Sequence, residues 1–141
     1  MPTLRLLQPT MLIGYDMQSL REFKRKTALK RSLSIFTRQE LNFCECRGSA
    51  AASLAGIFCA KEAFIKAISS VHSTPAFMFT DIEVQHEPDG RPYLAMRSAI
   101  SVYMSDRSLA VDLSITHTAD IAGAMVIVSK QGNVQWTNHT G

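Results

Sequence analysis

Apolar and polar positions along the chain follow two periods. Between Leu54 and Ile68 the apolar residues recur at helical spacing: Leu54, Ile57, Phe58, Ile65 and Ile68 share one arc at about 100° per residue. The stretch is Ala-rich and free of Pro, and predicts a helix from about Ala51 to Ser69, with Ser49 or Ser53 as N-cap. Met11 to Tyr15 reads as a short buried strand that ends at Asp16. Met17 to Lys30 then reads as a helix with Met17, Leu20, Phe23 and Thr27 inward. Thr37-Arg38-Gln39-Glu40 fits a capping box that opens a short helix to about Cys44. Thr80 to His86 alternates, Glu87-Pro88-Asp89-Gly90 is a turn, and Arg91 to Met96 returns, which predicts a hairpin. Ser98 to Ser105 reads as a short helix and Val111 to Thr116 as a strand. Ile121 to Ser129 is apolar enough for a central strand. Interspersed helices and hairpin-like strand pairs make the class α+β, an antiparallel sheet packed against a long central helix. A chain of 141 residues suits one such domain, residues 1–141, with a core of about 11–129 and a polar C-terminal tail expected to fray.

Composition changes this picture little. The chain is 46% hydrophobic and 19% charged, an ordinary globular balance. No apolar run approaches the roughly 18 residues that span a membrane, and Met1 to Arg5 has no signal-peptide pattern. The expectation is a soluble, cytoplasmic protein. Cys44, Cys46 and Cys59 have neither disulfide-framework nor zinc spacing and read as reduced thiols. Charge adds more. The net value is only +3, yet Arg21, Lys24, Arg25, Lys26, Lys30 and Arg31 crowd into one segment, with Glu22 its only acid. Such a block is a solvated face or a dock for an acidic partner: nucleic acid, lipid surface or protein.

Candidate chemistry comes from three separated segments. Asp16 stands at a strand end, as functional group or helix cap. Glu62 and Lys66 form an i, i+4 pair beside the apolar arc, and Lys61 lies near the middle of that arc, where a charge must be paired. His117 and Thr118 follow another strand. Two carboxylates suit Mg²⁺, which binds hard oxygens and keeps part of its water shell. Lysines suit phosphate oxygens. These parts match phosphoryl-type transfer, in which metal and cations stabilise charge on a diphosphate.

The same residues carry a resemblance. Gly14-x-Asp16, Phe36-Thr37-x-x-Glu40-Leu41 and Leu54-Ala55-Gly56-x-Phe58-x-Ala60-Lys61-Glu62-Ala63-x-x-Lys66-Ala67 stand in order. Asp81-Ile82-Glu83-Val84, Gly90-x-Pro92 and Ser114-Ile115-Thr116-His117-Thr118 follow. From about Leu12 to Val128 the chain resembles the holo-acyl-carrier-protein synthases, small bacterial 4'-phosphopantetheinyl transferases. The resemblance implies the 4'-phosphopantetheinyl transferase fold. It also implies Mg²⁺-dependent transfer of the phosphopantetheine arm from coenzyme A to a serine of an acidic acyl carrier protein, as in fatty acid biosynthesis, with release of adenosine 3',5'-bisphosphate. Asp16 and Glu62 would hold the metal, and Asp16, Glu62 and Lys66 would be catalytic. Lys61, Lys66, His117 and Thr118 would border the coenzyme. Arg21, Lys24, Arg25 and Lys26 would dock the carrier, with Met17 and Phe23 as apolar neighbours. A homotrimer with the active site at the subunit interface is implied as well, with no nucleic-acid or membrane partner.

Three positions depart from the family pattern. Ile57 stands where an arginine that contributes to phosphate binding is usual, so that contact is absent or supplied elsewhere. Ser69 to Ser73 lacks the usual glycines. Glu22 occupies a place usually held by a carrier-contacting arginine. These departures motivate the alternative of a carrier-binding module without catalysis. A nucleic-acid-binding domain is disfavoured because the strands lack an aromatic stacking set.

Overall fold

The computed structural model describes residues 11–26, 32–71 and 73–131. The expected Thr27, Lys30 and Arg31, and the polar tail beyond 131, lie outside the described residues. In order, the elements are β1 (Met11–Ser19), α1 (Leu20–Arg25), α2 (Arg38–Glu45), α3 (Ala50–Ile68), a 3₁₀ turn (Phe79–Asp81), β2 (Ile82–His86), β3 (Pro92–Met96), α4 (Ser98–Asp106), β4 (Leu109–His117) and β5 (Ile121–Lys130). An antiparallel sheet of order β1-β5-β4 and the hairpin β2-β3 account for the strands. β5 is central in the larger sheet, paired with β1 on one side and β4 on the other.

The core lies between that sheet and α3. Ser49 caps α3 by accepting from the Ala52 N–H at 3.3 Å. Burial on α3 is wider than the predicted arc. Ala55, Cys59, Ala60, Ala63, Phe64 and Ala67 are buried along with Leu54, Ile57 and Ile68, while Phe58 and Ile65 are only partly covered. The small residues let the sheet lie close on one side of the helix. The capping box of α2 forms as read, Thr37 N–H to Glu40 Oε1 at 2.8 Å and Glu40 N–H to Thr37 Oγ1 at 3.2 Å. The β2-β3 turn closes through Gly90 N–H to the Glu87 carbonyl at 2.8 Å, with Gly90 at φ +90°, a value that favours glycine.

Two adjoining elements differ from the reading. The first strand does not stop at Tyr15 but runs on to Ser19, and the helix after it covers only Leu20–Arg25. Alternation explains the extension. Met11, Ile13, Tyr15 and Met17 point to one face, and Gly14 and Asp16 to the other. Ser19, not Asp16, caps α1, accepting from the Glu22 N–H at 3.3 Å. Met17 therefore faces outward on a strand instead of inward on a helix, while Leu20 and Phe23 are buried as expected. Among the described residues, no helix is long and apolar enough to cross a membrane.

Candidate active site

The site forms where β1 crosses α3. A Cβ on Gly14 would stand 1.7 Å from the Ala63 carbonyl oxygen and 2.9 Å from the Ala67 nitrogen. Only glycine lets strand and helix touch there. Asp16, two residues along and on the same face, is thereby pressed against the last turns of α3. Its Oδ1 accepts from Lys66 Nζ at 3.0 Å, and its Oδ2 from Gln18 Nε2 at 3.2 Å. Lys66 Nζ also donates to the Tyr15 carbonyl at 3.1 Å. The Asp16 carboxylate is mostly covered, 11% exposed, whereas Lys66 is 54% exposed. A lysine so exposed can leave Asp16 for an incoming anion at little cost in burial.

Glu62 lies one turn before Lys66. Partial burial pushes its pKa above the usual carboxylate range, the negative charge of Asp16 pushes it further, and Lys66 pulls it back. The predicted Glu62–Lys66 pair thus becomes a triad in which Lys66 makes its direct contact with Asp16. Asp16 and Glu62 are two carboxylates whose mutual repulsion a hard divalent cation would relieve. Among the described residues, no group of three or more His, Cys, Asp or Glu is gathered for a metal. Asp16 and Glu62 are the residues that could hold such a cation, and a pair of carboxylates would suit Mg²⁺. Cys59 lies beneath the site. Burial first, then the charge of Asp16, push its thiol up to about 12, so it stays protonated and is no nucleophile.

Lys61 requires a correction. It is fully buried, on the side of α3 away from the site. Its ammonium donates to Glu40 Oε1 at 2.7 Å, to the Ile35 carbonyl at 2.7 Å and to the Phe79 carbonyl at 2.9 Å. All three donors are used, so Lys61 has none left for coenzyme. The expectation that it is paired holds; the expectation that it borders the coenzyme does not. Burial pushes the Lys61 pKa down and the Glu40 pKa up, and the opposite charge of each draws the other back.

His117 ends β4 and is exposed, with Thr118 just beyond it. The Thr118 hydroxyl accepts from the Asp120 and Ile121 N–H groups, each at 3.2 Å, and so shapes the turn into β5. His117 borders two cavities. One, of 400 Å³, opens on the outer sheet face beside Tyr15, Met17, Thr116, Thr118 and Met125. The other, of 390 Å³, lies at the start of α3, between Arg47, Ile57 and His86. Sequence reasoning missed Arg47, His86 and Phe43, which come together only through tertiary contact. Arg21, Lys24, Arg25 and Lys26, the residues expected to dock the carrier, are exposed on and just after α1. Phe23 is not a surface neighbour: it is buried, its ring 6.0 Å from that of Phe58.

A strand–helix contact that gathers two carboxylates and an exposed lysine suits the handling of phosphate groups, and comparison with known proteins defines the class. The model of the 4'-phosphopantetheinyl transferase superfamily matches residues 12–137. The chain is 34% identical over 99 residues to the holo-[acyl-carrier-protein] synthase of Myxococcus xanthus, across 70% of this chain and 75% of that one. It is 34% identical over 122 residues to that of Borrelia hermsii, across 84% and 98%. Among solved structures, a Chronobacterium ammoniagenes ACPS–CoA complex superposes with a TM-score of 0.74 at 26% identity, covering 88% of this chain and all of that one. The acyl carrier protein synthase of Mycobacterium tuberculosis superposes at 0.69 with 31% identity, covering 85% and 97%. The chain belongs to the 4'-phosphopantetheinyl transferase superfamily, and within it to the holo-acyl-carrier-protein synthase type.

Proposed function

We propose that the protein transfers the 4'-phosphopantetheine arm of coenzyme A to a serine hydroxyl of an apo acyl carrier protein and releases adenosine 3',5'-bisphosphate. The observation that carries this reading is the contact of Asp16 with Lys66, with Glu62 beside them under repulsion from Asp16. Asp16 and Glu62 would hold Mg²⁺, which when bound neutralises the diphosphate oxygens. Lys66 swings from Asp16 to a phosphate oxygen and offsets charge as the bridging P–O bond breaks and the serine oxygen takes its place on phosphorus. His117 and Thr118 border the coenzyme. The cationic surface of α1, Arg21, Lys24 and Arg25 with Lys26 after it, steers an acidic carrier toward the site.

The outer sheet face supports self-association. Ile13, Tyr15, Met17, Ile121 and Met125 are exposed together on β1 and β5, and among the described residues no element lies over them. A patch of this kind marks an interface. It adjoins Asp16, so a second subunit seated there would complete the pocket. The patch supports self-association; that the assembly is a trimer and that it is cytoplasmic rest on the resemblance to the family.

The test is incubation with coenzyme A, Mg²⁺ and an apo acyl carrier protein, followed by mass spectrometry of the carrier. Wild type adds the arm; Asp16→Ala and Glu62→Ala remain folded and add none. Full transfer by either variant refutes the metal assignment. An apparent KM for carrier that ignores salt refutes the docking role of α1. A monomer in light scattering refutes the trimer.

A further inference from the structure

The two oxygens of Asp16 are held by partners of different kinds. Oδ1 accepts from Lys66 Nζ at 3.0 Å and Oδ2 from Gln18 Nε2 at 3.2 Å. Lys66 is exposed, and in the proposed transfer it leaves Asp16 for phosphate. Gln18 cannot leave in the same way. It stands two residues along β1, on the same face as Asp16, and is half-buried. The register pins both residues to the central strand, Asp16 opposite Ala124 and Gln18 opposite Ala122. Both alanines are buried, and the Cys59 thiol donates to the Ala122 carbonyl at 3.6 Å, so α3 closes the floor under the pair.

The two partners also differ in charge. The Lys66 ammonium offsets the Asp16 carboxylate, whereas the Gln18 amide is neutral and leaves that charge in place. Rotation about the terminal torsion of an aspartate is soft, so a carboxylate released by Lys66 and held by nothing else would turn freely. It would then offer a cation either oxygen or both. With Oδ2 bound to the Gln18 amide, Oδ1 stays on the side that faced Lys66, one turn of α3 from Glu62. The difference matters to a metal. Ca²⁺ takes carboxylates through one oxygen or both in a flexible shell. Mg²⁺ demands a near-ideal octahedron, which the narrow two-oxygen bite of a carboxylate does not fit.

We infer that Gln18 is a positioning residue: it holds Asp16 Oδ2 aside, so that Asp16 presents Oδ1 alone to a cation, and it thereby sets a preference for Mg²⁺ over Ca²⁺. The inference rests on the reading that Asp16 and Glu62 hold the metal. When Lys66 moves to phosphate, Asp16 gives up one partner and keeps the other.

The experiment measures displacement of Mn²⁺ from the full chain by Mg²⁺ and by Ca²⁺, read from the electron paramagnetic resonance of free Mn²⁺, for wild type, Gln18→Met and Asp16→Ala. Met matches the length of Gln and packs in its place without a donor. Gln18→Met is expected to weaken Mg²⁺ about tenfold and Ca²⁺ by less than about threefold, and to raise the Mg²⁺ concentration that transfer requires more than it lowers kcat. Should Gln18→Met not fold, Gln18→Leu removes the same donor and is expected to give the same split. Equal weakening toward both cations means that Gln18 only packs, and it overturns the inference, as does no weakening at all. Mn²⁺ binding lost in Asp16→Ala, with the Mg²⁺ preference of Gln18→Met unaltered, overturns this inference and leaves the metal reading standing. Mn²⁺ binding that Asp16→Ala leaves intact, or a wild type that binds no Mn²⁺, overturns both. A Mg²⁺ preference that depends on Gln18 in a chain that loads no carrier sinks the transferase reading and leaves this assignment standing.

Discussion

Replacing Lys61 with methionine tests whether the residue is a core pin or a ligand contact. Met keeps most of the apolar stem and removes the ammonium. Glu40 then stays buried with only two donors, the Thr37 N–H at 2.8 Å and the Val84 N–H at 2.9 Å. Breaking one side of a buried pair costs about 3–5 kcal/mol. The carbonyls of Ile35 and Phe79 each lose a donor, a further cost of about 1 kcal/mol apiece where water cannot replace it. These costs overlap, so about 4 kcal/mol is expected, a large share of the roughly 5–15 kcal/mol that holds a domain together. Urea unfolding at pH 7 reads the change as a lower midpoint at unchanged slope. Glu40→Gln should cost less, because Gln still offers one acceptor. The double variant should cost less than the two singles added, by about 2 kcal/mol or more, since each single strands the other's charge. At a temperature where Lys61→Met is folded, its KM for coenzyme A should lie within about twofold of wild type. A loss of stability under 1 kcal/mol, additive singles, or a KM that rises with stability intact would refute the reasoning.

Two further outcomes follow from the site. Gly14→Ala places a methyl group on the backbone of α3 and should cost about 3 kcal/mol and most of the transfer activity; Gly56→Ala, whose Cβ would meet only the Ile115 side chain at 2.8 Å, should be near neutral in thermal melts, and equal costs would refute the crossing argument. Glu62 has a folded pKa raised above its unfolded value, so its ionisation opposes folding above the folded pKa, and the penalty fades as pH falls through that pKa toward 4.5. Glu62→Gln should therefore raise the melting temperature at neutral pH and not below pH 4.5, and should abolish the rise that Mg²⁺ gives wild type; a pH-independent effect would refute the origin assigned to the shift.

Much of the fold is written in local pattern. The capping box, the α3 span, the β2-β3 turn and the central place of β5 each depend on a few adjacent residues, and each forms as read. The error at β1 shows where local pattern misleads. Met17 and Leu20 suit a helix face, and Asp16 suits a cap. The alternation of Met11, Ile13, Tyr15 and Met17 against Gly14 and Asp16 was present as well, but its apolar side is the one left uncovered. A strand with apolar residues outward and a carboxylate inward defeats a reading that puts apolar residues in the core. The Arg47–Phe43–His86 cluster was not legible, because α2, the loop after it and β2 meet there only in the folded chain.

The division of labour on α3 explains why one motif lysine is in the core and the other at the site. Consecutive helix residues diverge by about 100°, so Lys61 and Glu62 cannot serve the same pocket. Glu62 shares its side with Lys66, one turn on, and both meet β1 at Asp16. Lys61 faces the other way, to the loop before α2, to Glu40 and to the 3₁₀ turn before β2. Glu40 in turn closes the cap of α2 and accepts from the Val84 N–H of β2. One buried ammonium thus fastens three segments to the back of the helix whose front carries the chemistry. In the proposed transfer it holds the helix in place as Lys66 moves from Asp16 to phosphate.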